Sequence, residues 1–212
     1  MTFVAVVDYG MGNLHSIAKA LQRADSSARV VVTAEPEQIR SAERVVFPGV
    51  GAIGDCMTAL HRLGLEPILR EVAADRPFLG ICLGMQALLD ESEESGGTRG
   101  LGIIPGRVVR FPAGLRDANG NTLKIPHMGW NRVAQPLAHP LWHGICPDSW
   151  FYFVHSYYAE PRNASCIAGL ASYPEPFAAA LASGSVFAVQ FHPEKSQQDG
   201  LRLLANFLRW RP

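Results

Sequence analysis

Arg76-Pro77-Phe78-Leu79-Gly80-Ile81-Cys82-Leu83-Gly84-Met85-Gln86 is the stretch that decides the fold. Its apolar run, Phe78 to Ile81, reads as a buried strand, and Met85 to Asp90 reads as a helix. Cys82 then stands on a strand-to-helix turn between Gly80 and Gly84. This is the G-x-S-x-G elbow with a thiol in place of the hydroxyl: small flanking residues let a strained turn lift the nucleophile above the sheet edge.

Working outward, strand and helix alternate through the first half, with strands expected at Phe3 to Val7, Arg29 to Thr33, Arg44 to Phe47 and Phe78 to Ile81. Such alternation implies an α/β fold, a parallel sheet with helices on both faces. The second half is strand-rich, with runs at Val108 to Phe111, Trp150 to Val154, Cys166 to Ser172, Ala178 to Ala182 and Val186 to Val189. A last helix is expected from about Gln197 to Trp210. Some antiparallel strands are therefore expected, giving a mixed, mostly parallel sheet in a single domain, 1–212, a length that fits the usual range of about 100–200 residues. Sites in such sheets lie at the carboxyl ends of strands, and Gly49, Cys82 and His192 all follow strands.

A second segment, Gln190-Phe191-His192-Pro193-Glu194, supplies the partners of a nucleophile. In extended backbone, residues i and i+2 point the same way, so the Glu194 carboxylate can hold one imidazole nitrogen of His192 while the other faces a thiol. That is the logic of a Cys-His-Glu triad. A helix beginning just after Cys82 aims free N–H groups at the sulfur and favours the thiolate. The Leu83 backbone N–H, next after the nucleophile, is the expected oxyanion donor. Alone, a cysteine after an apolar strand is ordinarily a buried small hydrophobe, and a His-Pro-Glu is ordinarily a turn. Together in one chain they favour a cysteine hydrolase or acyl-transfer site.

GICLGMQ and FHPEKS resemble the two signatures of the class I, triad-type glutamine amidotransferases, which hydrolyse glutamine through a cysteinyl thioester and hand ammonia to a synthase. The resemblance implies that family's flavodoxin-like fold. Within the family, VVDYGMGNLHS, FPGVGAIGDCM, HMGWN and FVHSYY resemble the glutaminase subunits of imidazole glycerol phosphate synthase, over nearly the whole chain. It implies Cys82 as nucleophile, His192 as general base and then acid, and Glu194 as its orienter. It assigns backbone N–H groups of Gly49, Val50 and Gly51 to the oxyanion and to L-glutamine, Val50 supplying the second oxyanion donor. Gln86, His155, Ser156 and Tyr157 are implied to line the glutamine pocket. Gly10, Met11, Asn13 and Lys195 are implied to face a (β/α)8-barrel cyclase subunit in a cytoplasmic heterodimer, with no cofactor. The Val50 peptide is implied to flip before it donates, which would keep hydrolysis slow until the partner site is filled.

Other classes fare worse. Gly10 and Gly12 begin a G-x-G, but His15 occupies the position where a dinucleotide fingerprint needs Gly or Ala. Asn13 is the expected N-cap of the helix that follows. Cys56, Cys146 and Cys166 show no C-x-x-C spacing, and no metal site is expected. Four scattered cysteines, with neither a secretory signal nor a long apolar run, suit a reduced cytosol. Nineteen basic and nineteen acidic residues cancel, which gives no electrostatic case for nucleic acid or an anionic membrane. His15, His61 and His139 read as surface or loop residues, and Asp90 to Gly100 as an exposed loop. An amidotransferase serving another synthase, a cysteine peptidase with a similar elbow and an inactive binding subunit are the rival readings. HMGWN, the most diagnostic subgroup motif, carries no evident chemistry, so packing at or near the partner interface is its expected role.

Overall fold

The computed structural model describes all 212 residues. In chain order the elements are β1 (Phe3–Val7), α1 (Leu14–Ala24), β2 (Arg29–Thr33), α2 (Pro36–Ser41), β3 (Arg44–Gly49), α3 (Ile53–Arg62), α4 (Glu66–Asp75), β4 (Phe78–Cys82) and α5 (Leu83–Ala87). There follow β5 (Glu91–Ser92), β6 (Thr98–Arg99), β7 (Gly106–Arg110), β8 (His127–Val133), β9 (Ser149–His155), β10 (Tyr157–Pro161), β11 (Ile167–Ser172), β12 (Pro176–Ser183), β13 (Val186–Val189) and α6 (Gln197–Arg209).

One sheet runs in the order β2-β1-β3-β4-β13-β12-β10-β7-β5-β6, with β11 paired to β12. The block β2-β1-β3-β4-β13 is parallel throughout, and β12, β10 and β7 extend it antiparallel. β8 and β9 form a separate two-stranded ribbon. Strands β1, β3, β4 and β13 of the parallel block are apolar at successive positions because both faces are covered, whereas the edge strand β2 stays partly exposed. Val4 and Val6 pack with Ile17 and Leu21 of α1, with Leu203, Leu204 and Phe207 of α6, and with Phe151 and Phe153 of the ribbon. Ala5 and Val7 face the other way, onto Ile39 of α2, Ile53 and Leu60 of α3, and Leu69 and Val72 of α4. Each such large side chain, fully buried, contributes about 1.5–3 kcal/mol relative to exposure.

The expected α/β architecture is present, with local corrections. The helix expected over Met85 to Asp90 begins at Leu83 and ends at Ala87, because the chain turns there to bond Leu101, Ile103 and Ile104 through the carbonyls of Ala87 and Leu88. Asp90 to Gly100 is partly ordered as β5 and β6, since β5 joins the sheet edge beside β7. Asn13 precedes α1 without a side-chain capping bond, its φ of −86° and ψ of 58° lying outside the usual capping geometry. His127–Val133 is a strand, and Tyr157–Pro161 another, where the sequence suggested neither.

Candidate active site

Sheet register assembles the site. β3 and β4 are parallel neighbours, and their last pair sets Gly49 opposite Cys82, so the Pro48-Gly49-Val50-Gly51 turn lies beside the elbow. β13 runs parallel to β4 on its other side, with Val189 opposite Ile81, which delivers the following Gln190 to His192 segment to the same edge.

The Cys82 backbone has φ 54° and ψ −110°, a conformation L-residues avoid, at a cost on the order of 1–3 kcal/mol. Packing around α5 holds it there. A Cβ on Gly84 would collide with the Phe47 carbonyl oxygen, so only glycine lets α5 sit this close to β3. Gly49 is equally confined, between the Tyr9 hydroxyl and Leu83. With five residues, α5 is too short for a full macrodipole, so its effect on the sulfur is limited to the free N–H groups of its first turn.

His192 lies three residues past the end of β13, and the chain leaves β12 after Gln190 N–H bonds the Ala179 carbonyl. Its backbone N–H donates to Tyr152 O at 2.9 Å, and the Ser196 hydroxyl donates to its carbonyl at 2.6 Å. His192 is extended, but Pro193 starts a 3-10 turn over Pro193–Lys195, so Glu194 reaches it from a turn rather than along a strand. Nδ1 of His192 and Oε1 of Glu194 are 2.9 Å apart. Burial pulls the imidazole down, but the Cys82 sulfur as thiolate and the Glu194 carboxylate outweigh it and push His192 up to about 10. Its Nε2 is buried and makes no hydrogen bond, which leaves it available to a reacting group.

Val50, Gly51, Cys82, Leu83, Gln86, His155, Ser156, Tyr157 and His192 line one pocket of about 270 Å³, together with Glu94, Pro126 and Val154. Gly49, Val50, Asn13, His192 and Glu194 border a hollow of about 10 Å³ beside it. Of the residues assigned to a partner face, Gly10 and Lys195 are exposed and lie outside both cavities. Met11 lies over Gly51, and the Lys195 ammonium sits 5.7 Å from the Tyr152 ring centre. Glu94 went unnoticed in the sequence because it falls in a polar stretch with no pattern. Its Oε2 accepts from the Ile53 N–H at 2.8 Å, tying the β5–β6 segment to the start of α3 at the pocket wall.

Gln86 is buried, and its Nε2 donates to Tyr157 O and to Gln190 Oε1, both at 3.0 Å. His155 is buried too, and burial pushes it down to about 3. His139 lies in a loop, as one of its two expected placements had it, and is half-buried there against Phe187 and Trp210. His15 and His61 are exposed. No group of three His, Cys, Asp or Glu side chains converges to hold a metal ion. No helix is long and apolar enough to cross a membrane.

The arrangement can support acyl transfer: a sulfur on an elbow, an imidazole held by a carboxylate and two backbone turns meet at one pocket. Comparison with known proteins agrees. A model of the family glutamine amidotransferase class-I matches residues 5–210. The imidazole glycerol phosphate synthase subunit HisH of Methylococcus capsulatus is 67% identical, covering 100% of this chain and 98% of that protein. HisH of Nitrosospira multiformis is 57% identical, covering both chains fully. Among solved structures, PurLQS of Thermotoga maritima superposes with a TM-score of 0.73 at 15% identity, over 98% of each chain. The glutaminase domain of Trypanosoma brucei CTPS gives 0.63 at 16% identity, over 100% of this chain and 96% of that one. Both are likenesses of fold alone. By its sequence, the chain belongs to the class I glutamine amidotransferase family.

Proposed function

We propose that this chain is the glutaminase subunit of an imidazole glycerol phosphate synthase. Cys82 thiolate attacks the side-chain amide of L-glutamine, with the Leu83 and Val50 N–H groups bonding the oxyanion. Gly49 and Gly51 let the backbone approach the substrate, and Gln86, His155, Ser156 and Tyr157 shape its pocket. Protonated His192, oriented by Glu194, gives its proton to the departing ammonia. The imidazole then takes a proton from water, which attacks the thioester and releases glutamate. Ammonia passes to a (β/α)8-barrel cyclase subunit, which forms imidazole glycerol phosphate and an aminoimidazole carboxamide ribotide in histidine biosynthesis. Gly10, Met11, Asn13 and Lys195 meet that subunit in a cytoplasmic heterodimer. The whole chain acts as one amidotransferase domain, without a cofactor.

The observation that carries this reading is His192, which borders the same pocket as Cys82 and is held by the buried Glu194 carboxylate, in a chain 67% identical to a HisH subunit over its full length. Mixing the protein with a cyclase subunit plus its phosphoribosyl substrate, and supplying glutamine labelled with 15N in the side-chain amide, tests it. Label in the imidazole ring is the expected result. Label retained in glutamine, or released only as free ammonia with no ring product, would point to another synthase or to a peptidase.

A further inference from the structure

The HMGWN motif, unexplained by sequence, begins a hydrogen-bond chain that ends at the sulfur of Cys82. One atom, the Tyr157 carbonyl oxygen, fixes the sense of every bond in it, because a carbonyl can only accept. His155 Nδ1, 2.8 Å away, must carry the proton, so its Nε2 accepts from His127 Nδ1 at 2.9 Å. His127 Nε2 then accepts from Asn131 Nδ2 at 3.3 Å. Both rings are buried and neutral, which this order requires.

On the other side of the same carbonyl, Gln86 must present its Nε2, 3.0 Å away, and the second hydrogen of that amide goes to Gln190 Oε1. The Gln190 amide therefore cannot flip, and its Nε2 faces Cys82 Sγ at 3.7 Å. Gln190 is wholly buried. A fixed N–H aimed at a nearly buried sulfur strengthens as negative charge gathers there. We propose that Gln190 is a further catalytic residue of this site, donating a hydrogen bond that stabilises the Cys82 thiolate, with Gln86, His155, His127 and Asn131 as the positioning residues that lock its amide in the donating sense. The proposal rests on the reading of Cys82 as nucleophile and accounts for a motif that reading does not use.

The test follows the rate of Cys82 alkylation by iodoacetamide against pH, resolved by peptide mass spectrometry, in the wild-type protein, Gln190→Glu and Gln190→Met. Gln190→Glu keeps the acceptor for Gln86 and replaces the N–H facing sulfur with an oxygen; Gln190→Met removes both. The pH midpoint of alkylation is expected to rise in both variants, by on the order of one unit, with a roughly tenfold slower reaction near neutrality. A Gln190→Glu profile that superposes on that of the wild type, in a protein with an unchanged melting curve, overturns the proposal.

If neither variant folds, the wild-type protein decides. With glutamine side chains labelled with 15N, alkylation of Cys82 is expected to displace the Gln190 NH2 resonance, and an unmoved resonance overturns the proposal. Failure of the glutaminase reading looks different: wild-type Cys82 would resist alkylation across the pH range and glutamine would stay intact.

Discussion

His192 and Glu194 share a 2.9 Å contact between Nδ1 and Oε1 while both side chains are all but sealed from water, at 3% and 4% exposure. A carboxylate in that position accepts from Nδ1 and leaves Nε2 free to exchange a proton with the reacting sulfur. Glu194→Gln can turn an N–H toward Nδ1 and favour the wrong tautomer. Its kcat for glutamine hydrolysis is expected to fall about 10²–10⁴-fold, with KM little changed. Steady-state kinetics in the presence of the cyclase partner checks this.

The buried histidines set opposite pH trends. His192 is pushed up to about 10 from 6.5, so its stabilising contribution is complete below 6.5 and fades as pH rises toward 10. His127 and His155 are pushed down to about 4 and about 3, so theirs is present above 6.5 and is lost as pH falls through that window. Each supplies a slope of up to about 1.4 kcal/mol per pH unit. Denaturant melts from pH 7 to 4 are expected to show falling stability, and His127→Gln to flatten the fall.

Gly84→Ala is expected to unseat α5, since the new methyl meets the Phe47 carbonyl. Overpacking of this kind costs about 1–3 kcal/mol, or roughly 2–12 °C in Tm for a chain this long. Because α5 carries the elbow, glutaminase activity should drop further than the loss of folded protein explains. Thermal melts paired with activity per folded molecule separate the two.

Glu94→Ala removes the acceptor for the Ile53 N–H at the start of α3. The lost cap is expected to cost about 1 kcal/mol. Glu94 also walls the pocket, so KM for glutamine should rise more than kcat falls. Equal effects of Glu94→Ala and Glu94→Gln on KM would assign the wall to the carboxylate charge.

Much of this was legible in the sequence for a physical reason. Strands β1, β3, β4 and β13 are buried on both faces, so their apolar runs stand out, and the elbow and the His-Pro-Glu turn are short, local signals. The ribbon was harder to read. His127–Val133 is buried only at its two ends, exposes Met128 and Trp130 and is interrupted by Gly129, and its order comes from pairing with β9 rather than from its own residues. The short reach of α5 likewise depends on distant carbonyl partners. Glu94 and Gln190 acquire their neighbours only when segments far apart in sequence meet, at separations of 41 and 108 residues.

The most direct test of the central claim is glutamate release from glutamine by the protein bound to a cyclase subunit with its phosphoribosyl substrate, compared with Cys82→Ala in the same complex. The account predicts hydrolysis strongly stimulated by the partner and abolished by the substitution. Hydrolysis that survives Cys82→Ala would contradict it.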